Sequence, residues 1–164
     1  MERLQKVSDV MEDIFEFPHL PYWFSLRQAI DIIKVSGVAG GSSDFPRAIL
    51  IFDEKYNLLG TLDIRDILRG LEPQFAEFAG DSDIHDSRHL YGVSSRELLD
   101  KPVSDFMRGA ELFISTEDPV SLAAYYMVTR GMAYLPVLEE KRKLVGIVKM
   151  MNVFNMVTDN LLDD

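Results

Sequence analysis

Two aspartates stand three residues apart, soon after a glycine, and their types and spacing could support chemistry. The segment reads Gly60-Thr-Leu-Asp63-Ile-Arg-Asp66. Two carboxylates this close could act as a general acid/base pair or could bind Mg²⁺. Neither a nucleophile nor a glycine-rich phosphate-binding loop accompanies them, and the sequence contains no His-Glu-x-x-His motif. We therefore do not expect an enzyme.

A second candidate is a pair of histidines, His85 and His89, spaced as two zinc ligands on one helix face would be. The Ser, Asp and Gly residues around them favour a solvated acidic loop instead. The chain has no Cys, which excludes disulfides, thiolate zinc sites, iron–sulfur clusters and a cysteine nucleophile. No metal site is therefore expected.

The charge balance limits the partners of the chain. Its 164 residues include 27 acidic and 17 basic side chains, for a net charge of −10, which would repel nucleic acids and anionic membranes. The longest uncharged stretch, residues 119–129, is much shorter than the roughly 20 residues of a membrane helix. The first residues do not resemble a secretory signal, so a cytoplasmic location is expected.

The elements that must position these residues occur twice. Val7-Ser-Asp-Val-Met11 and Ser25-Leu26 return 96 residues later as Val103-Ser-Asp-Phe-Met107 and Ser121-Leu122, and Leu58-Leu-Gly60 returns 86 residues later as Leu144-Val-Gly146. The Gly/Ser-rich residues 37–46 account for the difference as a loop insertion. The pattern predicts a duplication, with one repeat at 3–71, a linker at 72–97 and a second repeat at 98–162.

Each copy has the pattern β-α-β-β-α. The extended pieces are predicted at 15–17 and 112–115, the strands at 48–52, 58–62, 134–138 and 144–148, and the closing helices at 64–71 and 150–162. The apolar faces of the other two helices are predicted as Leu26, Ala29, Ile30, Ile33 and as Leu122, Tyr125, Tyr126, Thr129. Ser25 and Gln28 fit a capping box. We expect an α/β (α+β) fold in which two such units pack pseudo-symmetrically and share a core.

This order of motifs resembles a tandem pair of CBS (cystathionine β-synthase) domains. The resemblance covers about 3–71 and 98–162, and it is clearest in Tyr134-Leu-Pro-Val-Leu138 and Leu144-Val-Gly-Ile-Val148. It implies a regulatory module whose clefts bind an adenosine-containing ligand such as AMP, ADP, ATP or S-adenosylmethionine, with no cofactor required. It also implies a homodimer that regulates an effector protein, which the sequence does not identify.

In this family the ligand motif is Gly-φ-φ-Thr/Ser-x-x-Asp, where φ is apolar and the Asp binds the ribose hydroxyls. Asp66 keeps that carboxylate, whereas Asp63 replaces Thr/Ser; in the second copy Lys149 and Asn152 replace Thr/Ser and Asp. A carboxylate can accept charge-assisted bonds from a ribose diol, and the following helix N-terminus can bind a phosphate. We therefore expect Asp66 to bind ligand and the Asn152 site to bind more weakly, although capping their helices is the structural alternative for both residues.

Three further residues complete the predicted site. A base such as Arg65 must offset Asp63 if a phosphate is to bind; otherwise an uncharged nucleoside, a cationic adenosyl ligand or a metal-bound nucleotide is favoured. The resemblance places Ser115 at the Asp66 cleft and His19 at the Asn152 cleft, where its aromatic neighbours could fill the space instead. The alternative function is a ligand-free interaction or dimerisation module with degenerate sites.

Overall fold

The computed structural model describes residues 5–39, 48–71 and 93–163 of the chain. The helices are α1 (Val7–Val10), α2 (Leu26–Ala39), α3 (Ile64–Leu71), α4 (Val93–Leu98), α5 (Val120–Arg130) and α6 (Met150–Leu162). The strands are β1 (Glu12–Asp13), β2 (His19–Pro21), β3 (Ala48–Phe52), β4 (Leu58–Asp63), β5 (Arg108–Gly109), β6 (Ile114–Ser115), β7 (Tyr134–Glu139) and β8 (Lys143–Lys149). Short 3-10 turns lie at Ile14–Glu16 and Val103–Asp105.

The strands form two four-stranded sheets with matching topology, in the orders β2-β3-β4-β5 and β1-β8-β7-β6. In each sheet the long hairpin is antiparallel, and the strand that precedes the helix pairs with it in parallel. The two units β2-α2-β3-β4-α3 and β6-α5-β7-β8-α6 therefore repeat one arrangement. The expected α/β fold with two β-α-β-β-α repeats is confirmed.

The segments that lead into the two repeats exchange places, which the sequence did not predict. The Val7 N–H donates to the carbonyl of Asp118 at 2.8 Å, and the Val103 N–H donates to the carbonyl of Phe24 at 2.7 Å. Both valines are fully buried, each in the hydrophobic core of the opposite repeat. The fourth strand of each sheet is likewise supplied by the other repeat, as β5 beside β4 and as β1 beside β8.

This exchange explains the glycine of each repeated strand. A Cβ atom on Gly60 would lie 2.3 Å from the carbonyl oxygen of Arg108, and one on Gly146 would lie 2.5 Å from that of Glu12. Real Cβ atoms essentially never approach another atom within 3.0 Å. The exchanged strand can therefore cross at this distance only because no side chain stands beneath it.

A third cluster of buried side chains joins the two repeats. Its buried members are Ile14, Phe17, Leu50, Leu138, Leu144 and Ile147, drawn from both halves of the chain. The two hairpin turns also meet, since the Leu58 N–H donates to Arg142 at 3.0 Å and the Leu144 N–H donates to Tyr56 at 2.9 Å. The repeats thus share a core, as expected.

Two local predictions were wrong. Residues 15–17 were expected to be extended, but the Asp13 carboxylate accepts a bond from the Phe15 N–H at 2.9 Å and caps a 3-10 turn, so the strand begins at His19. In α5 the buried residues are Val120, Ala123 and Met127, whereas Tyr125 of the predicted face is 59% exposed. Apolar residues surround this helix on several sides, so periodicity alone could not choose the buried face.

The other elements lie where they were predicted, with small changes at their ends. Gln28 accepts from the Ser25 N–H at 2.9 Å, and Ser25 accepts from the Gln28 N–H at 3.2 Å, which confirms the capping box. Helix α2 continues through Ala39, so the predicted insertion at 37–46 begins inside a helix. The rest of that insertion, and the linker up to residue 92 with His85 and His89, lie outside the described residues.

Candidate functional site

Asp63 and Asp66 meet where β4 ends and α3 begins. The Asp63 N–H donates to Asp66 Oδ2, and the Asp66 N–H donates to Asp63 Oδ1, both at 2.9 Å. This is a capping box built from two carboxylates, and each acid satisfies a backbone N–H at the start of the helix. The capping role expected as the alternative for Asp66 is therefore present.

Two arginines neutralise this acidic pair. Arg108, on the exchanged strand β5, places Nε 2.8 Å from Asp66 Oδ1 and Nη2 2.9 Å from Asp63 Oδ2. Arg69, one turn along α3, places Nη1 3.2 Å from Asp66 Oδ1. The Asp66 side chain is 1% exposed, whereas those of Arg108 and Arg69 are 57% and 53% exposed. A buried carboxylate thus lies beneath two arginines that reach solvent.

Tyr134, at the start of β7 in the second repeat, is the aromatic neighbour of this site. Its ring centroid lies 5.4 Å from that of Phe17. Burial, together with the charge of Asp63, raises the pKa of Tyr134 to about 12. The site therefore combines strand and helix ends of the first repeat with two side chains of the second, Arg108 and Tyr134.

The equivalent junction of the second repeat carries the opposite arrangement of charge. The Lys149 N–H donates to Asn152 Oδ1 at 2.9 Å at the start of α6. Lys149 Nζ lies 3.0 Å from Glu12 Oε2, and Glu12 belongs to the exchanged strand β1. The first site thus has an acid at the strand end and a base on the crossing strand, whereas the second has a base and an acid.

The structure brings together some of the predicted site residues and separates others. Asp63 and Asp66 are in direct contact, and so are Lys149 and Asn152. Arg65 is exposed, and it is Arg108 that offsets the charge of Asp63.

Ser115 and His19 make local contacts within different sheets. The Ser115 N–H donates to the Asp118 carboxylate at 2.8 Å. His19 Nδ1 lies 2.8 Å from the Phe17 carbonyl oxygen, and its ring packs near those of Phe15 and Phe52. The ligand roles expected for both residues remain predictions.

Sequence reasoning missed Arg108 and Glu12, although a signal was present. Each directly follows the repeated segment, in Val103-Ser-Asp-Phe-Met-Arg108 and Val7-Ser-Asp-Val-Met-Glu12. Arg108 is opposite in charge to Asp63, and Glu12 is opposite in charge to Lys149. Such a reversal of both charges between the repeats predicts that Arg108 contacts Asp63 and that Glu12 contacts Lys149. The prediction can be made only once it is known that each leading segment crosses to the other repeat.

Within residues 5–39, 48–71 and 93–163, no group of three or more His, Asp or Glu side chains is arranged to hold a metal ion. No helix among these residues is both long and apolar enough to cross a membrane.

Comparisons with known proteins agree with this architecture. Residues 103–159 match the family model "CBS domain". No curated protein sequence matches the chain.

Solved structures share the fold over nearly the whole chain. CBSX2 in complex with AMP is 18% identical, with 95% of this chain and 98% of that chain covered and a TM-score of 0.67. A CBS domain-containing protein of unknown function from Bacillus anthracis is 18% identical, with coverage of 95% and 96% and a TM-score of 0.69. The cytosolic domain of the Mg²⁺ channel MgtE in complex with ATP is 18% identical, with coverage of 94% and 49% and a TM-score of 0.64.

Proposed function

Because residues 103–159 are a CBS domain and the chain has the fold of a CBS-domain pair, we propose that it is a regulatory module that binds an adenosine-containing ligand at the Asp66 site. The observation that carries this proposal is the buried Asp66 carboxylate, held at the start of α3 by Asp63 and contacted by Arg108 of the opposite repeat. Related folds have been solved with AMP and with ATP, which supports the ligand class.

The chemistry of the site suits such a ligand. A carboxylate can accept hydrogen bonds from both hydroxyls of a ribose, and the arginines beside it can pair with a phosphate. Because the site takes residues from both repeats, a bound ligand would contact both. A ligand can shift the protein between two arrangements only by binding one of them more tightly, and a site between repeats allows this.

A second candidate function is a ligand-free dimerisation module. The protein itself satisfies Asp66, and α6 carries an apolar face in which Phe154, Val157 and Leu161 are 58%, 43% and 72% exposed. That face could pack against a second copy of the chain. Light scattering tests this candidate: a monomeric mass would contradict dimerisation, and a dimer lost in Phe154→Ser would support it.

Isothermal titration with AMP, ATP and S-adenosylmethionine tests the ligand proposal. We expect at least one of them to bind, and we expect Asp66→Asn to weaken binding about 5- to 30-fold, because a neutral amide loses the charge assistance. Asn stands at the equivalent position 152, so the variant should fold, which a thermal melt would confirm. Asn152→Ala is the matched control for the second site. If no ligand binds the folded protein at millimolar concentration, the proposal is wrong.

A further inference from the structure

Arg108 occupies the acceptors that a ligand would need. A carboxylate has about four acceptor positions, and the Asp63 N–H, Arg69 and Arg108 already donate to Asp66. A ribose diol needs two positions, so at least one arginine must move away. Arg108 makes two short ion pairs to the acids, and its half-exposed side chain lies on a two-residue edge strand rather than on α3.

Displacement of Arg108 from the two aspartates leaves its positive charge without a partner, and the ligand must supply one. The ribose of the ligand is neutral, so it cannot pair with Arg108 in place of the Asp66 carboxylate. A phosphate on the same ligand would do so, and a guanidinium matches a phosphate with two parallel hydrogen bonds. A nucleoside without phosphate, such as adenosine, offers no such partner for the released arginine.

The second junction supports the assignment of this role to one position. There the crossing strand carries Glu12, which pairs with Lys149, so displacement of the crossing side chain would release an anion rather than a cation. Glu12 and Arg108 occupy corresponding positions of the repeats. A ligand at the first junction would therefore have to pair with a released cation, whereas a ligand at the second would have to pair with a released anion.

We propose that Arg108 is a specificity-determining gate, which a ligand must displace from Asp66 and which makes the site prefer phosphate-bearing adenosine compounds over adenosine. This inference rests on the proposed function, because it assumes that adenosine compounds bind beside Asp66. It assigns to Arg108 the offsetting role that Arg65 was expected to have. Among the ligand classes that Asp63 left open, it favours a nucleotide over an uncharged nucleoside.

Titration of AMP and adenosine into the wild-type protein and Arg108→Met tests the proposal. Met keeps the length of the side chain and removes its charge, while the β5 backbone pairing is untouched. We expect the ratio of AMP to adenosine affinity to fall about 10-fold or more, with adenosine binding unchanged or tighter. Arg65→Met removes an equal charge from an exposed neighbour and should leave the ratio within about 3-fold of wild type.

The outcomes separate the two proposals. If AMP, adenosine, ATP and S-adenosylmethionine all fail to bind the wild-type protein, the proposed function is wrong and so is the gate. If S-adenosylmethionine alone binds, the gate is wrong and the proposed function stands. If AMP and adenosine both bind but Arg108→Met leaves the ratio unchanged, or lowers it no more than Arg65→Met does, the gate is wrong and the proposed function stands. A weaker binding of both ligands by the same factor would also contradict the gate, since it would show a merely structural role for Arg108.

Discussion

Replacement of Gly60 by alanine tests whether the exchanged strand crosses as described. The new Cβ would meet the Arg108 carbonyl oxygen at 2.3 Å, whereas ordinary van der Waals contacts begin at 3.4 Å. Strand β5 would have to retreat by about 1 Å, which stretches its short ladder with β4 and the ion pairs that Arg108 makes. Overpacking of this kind costs about 1 to 3 kcal/mol.

Gly109 provides the matched control on the neighbouring strand. A Cβ there would meet nothing within 4 Å, and its backbone is not in the left-handed region. Gly109→Ala should therefore be neutral or stabilising by up to about 1 kcal/mol, because alanine restricts the unfolded chain. Urea unfolding followed by circular dichroism would measure both variants. Equal stabilities of Gly60→Ala and Gly109→Ala would refute the close crossing of β5 over β4.

Two further predictions concern the repeat interface and its buried side chains. Because burial raises the pKa of Tyr134 to about 12, only the unfolded chain loses this proton between pH 10 and 12, so the free energy of unfolding should fall by up to about 2 to 3 kcal/mol over that range. In the same urea titrations the free energy of unfolding of Tyr134→Phe should fall less steeply with pH. Parallel curves for the two proteins would contradict the raised pKa of Tyr134. Val103→Ala should destabilise by about 2 kcal/mol, because Val103 is fully buried in the core of the first repeat. Val128→Ala, at an 83% exposed position of α5, should change stability by less than about 0.5 kcal/mol; equal effects would show that Val103 does not pack in that core.

Local pattern was enough to predict most of the elements. The run Ala48–Phe52 is buried at every position, and its length and flanking turn made it a strand in any arrangement. Helix α3 was predicted at its observed bounds because its apolar residues recur at helical spacing after Asp63. The internal repetition then fixed the topology of both halves, since each copy supported the other.

The exchange of leading segments could not be predicted in this way. Strands β1 and β5 have two residues each, which is too short for any periodicity, and their partners are determined only by the packing of whole repeats. Arg108 was missed for the same reason, because its contact with Asp66 exists only through that exchange. Arg65 is near Asp63 in sequence, yet helix geometry leaves it exposed while Asp66 is buried.

The exchanged segments also affect the order in which the chain folds during synthesis. Glu12 of the first leading segment pairs with Ile147 of the second repeat, which is synthesised much later. The amino-terminal half must likewise wait for Val103 before its own interior is filled. Contacts this distant along the chain slow folding, so neither repeat should complete its core before the segment that the other repeat supplies has been synthesised.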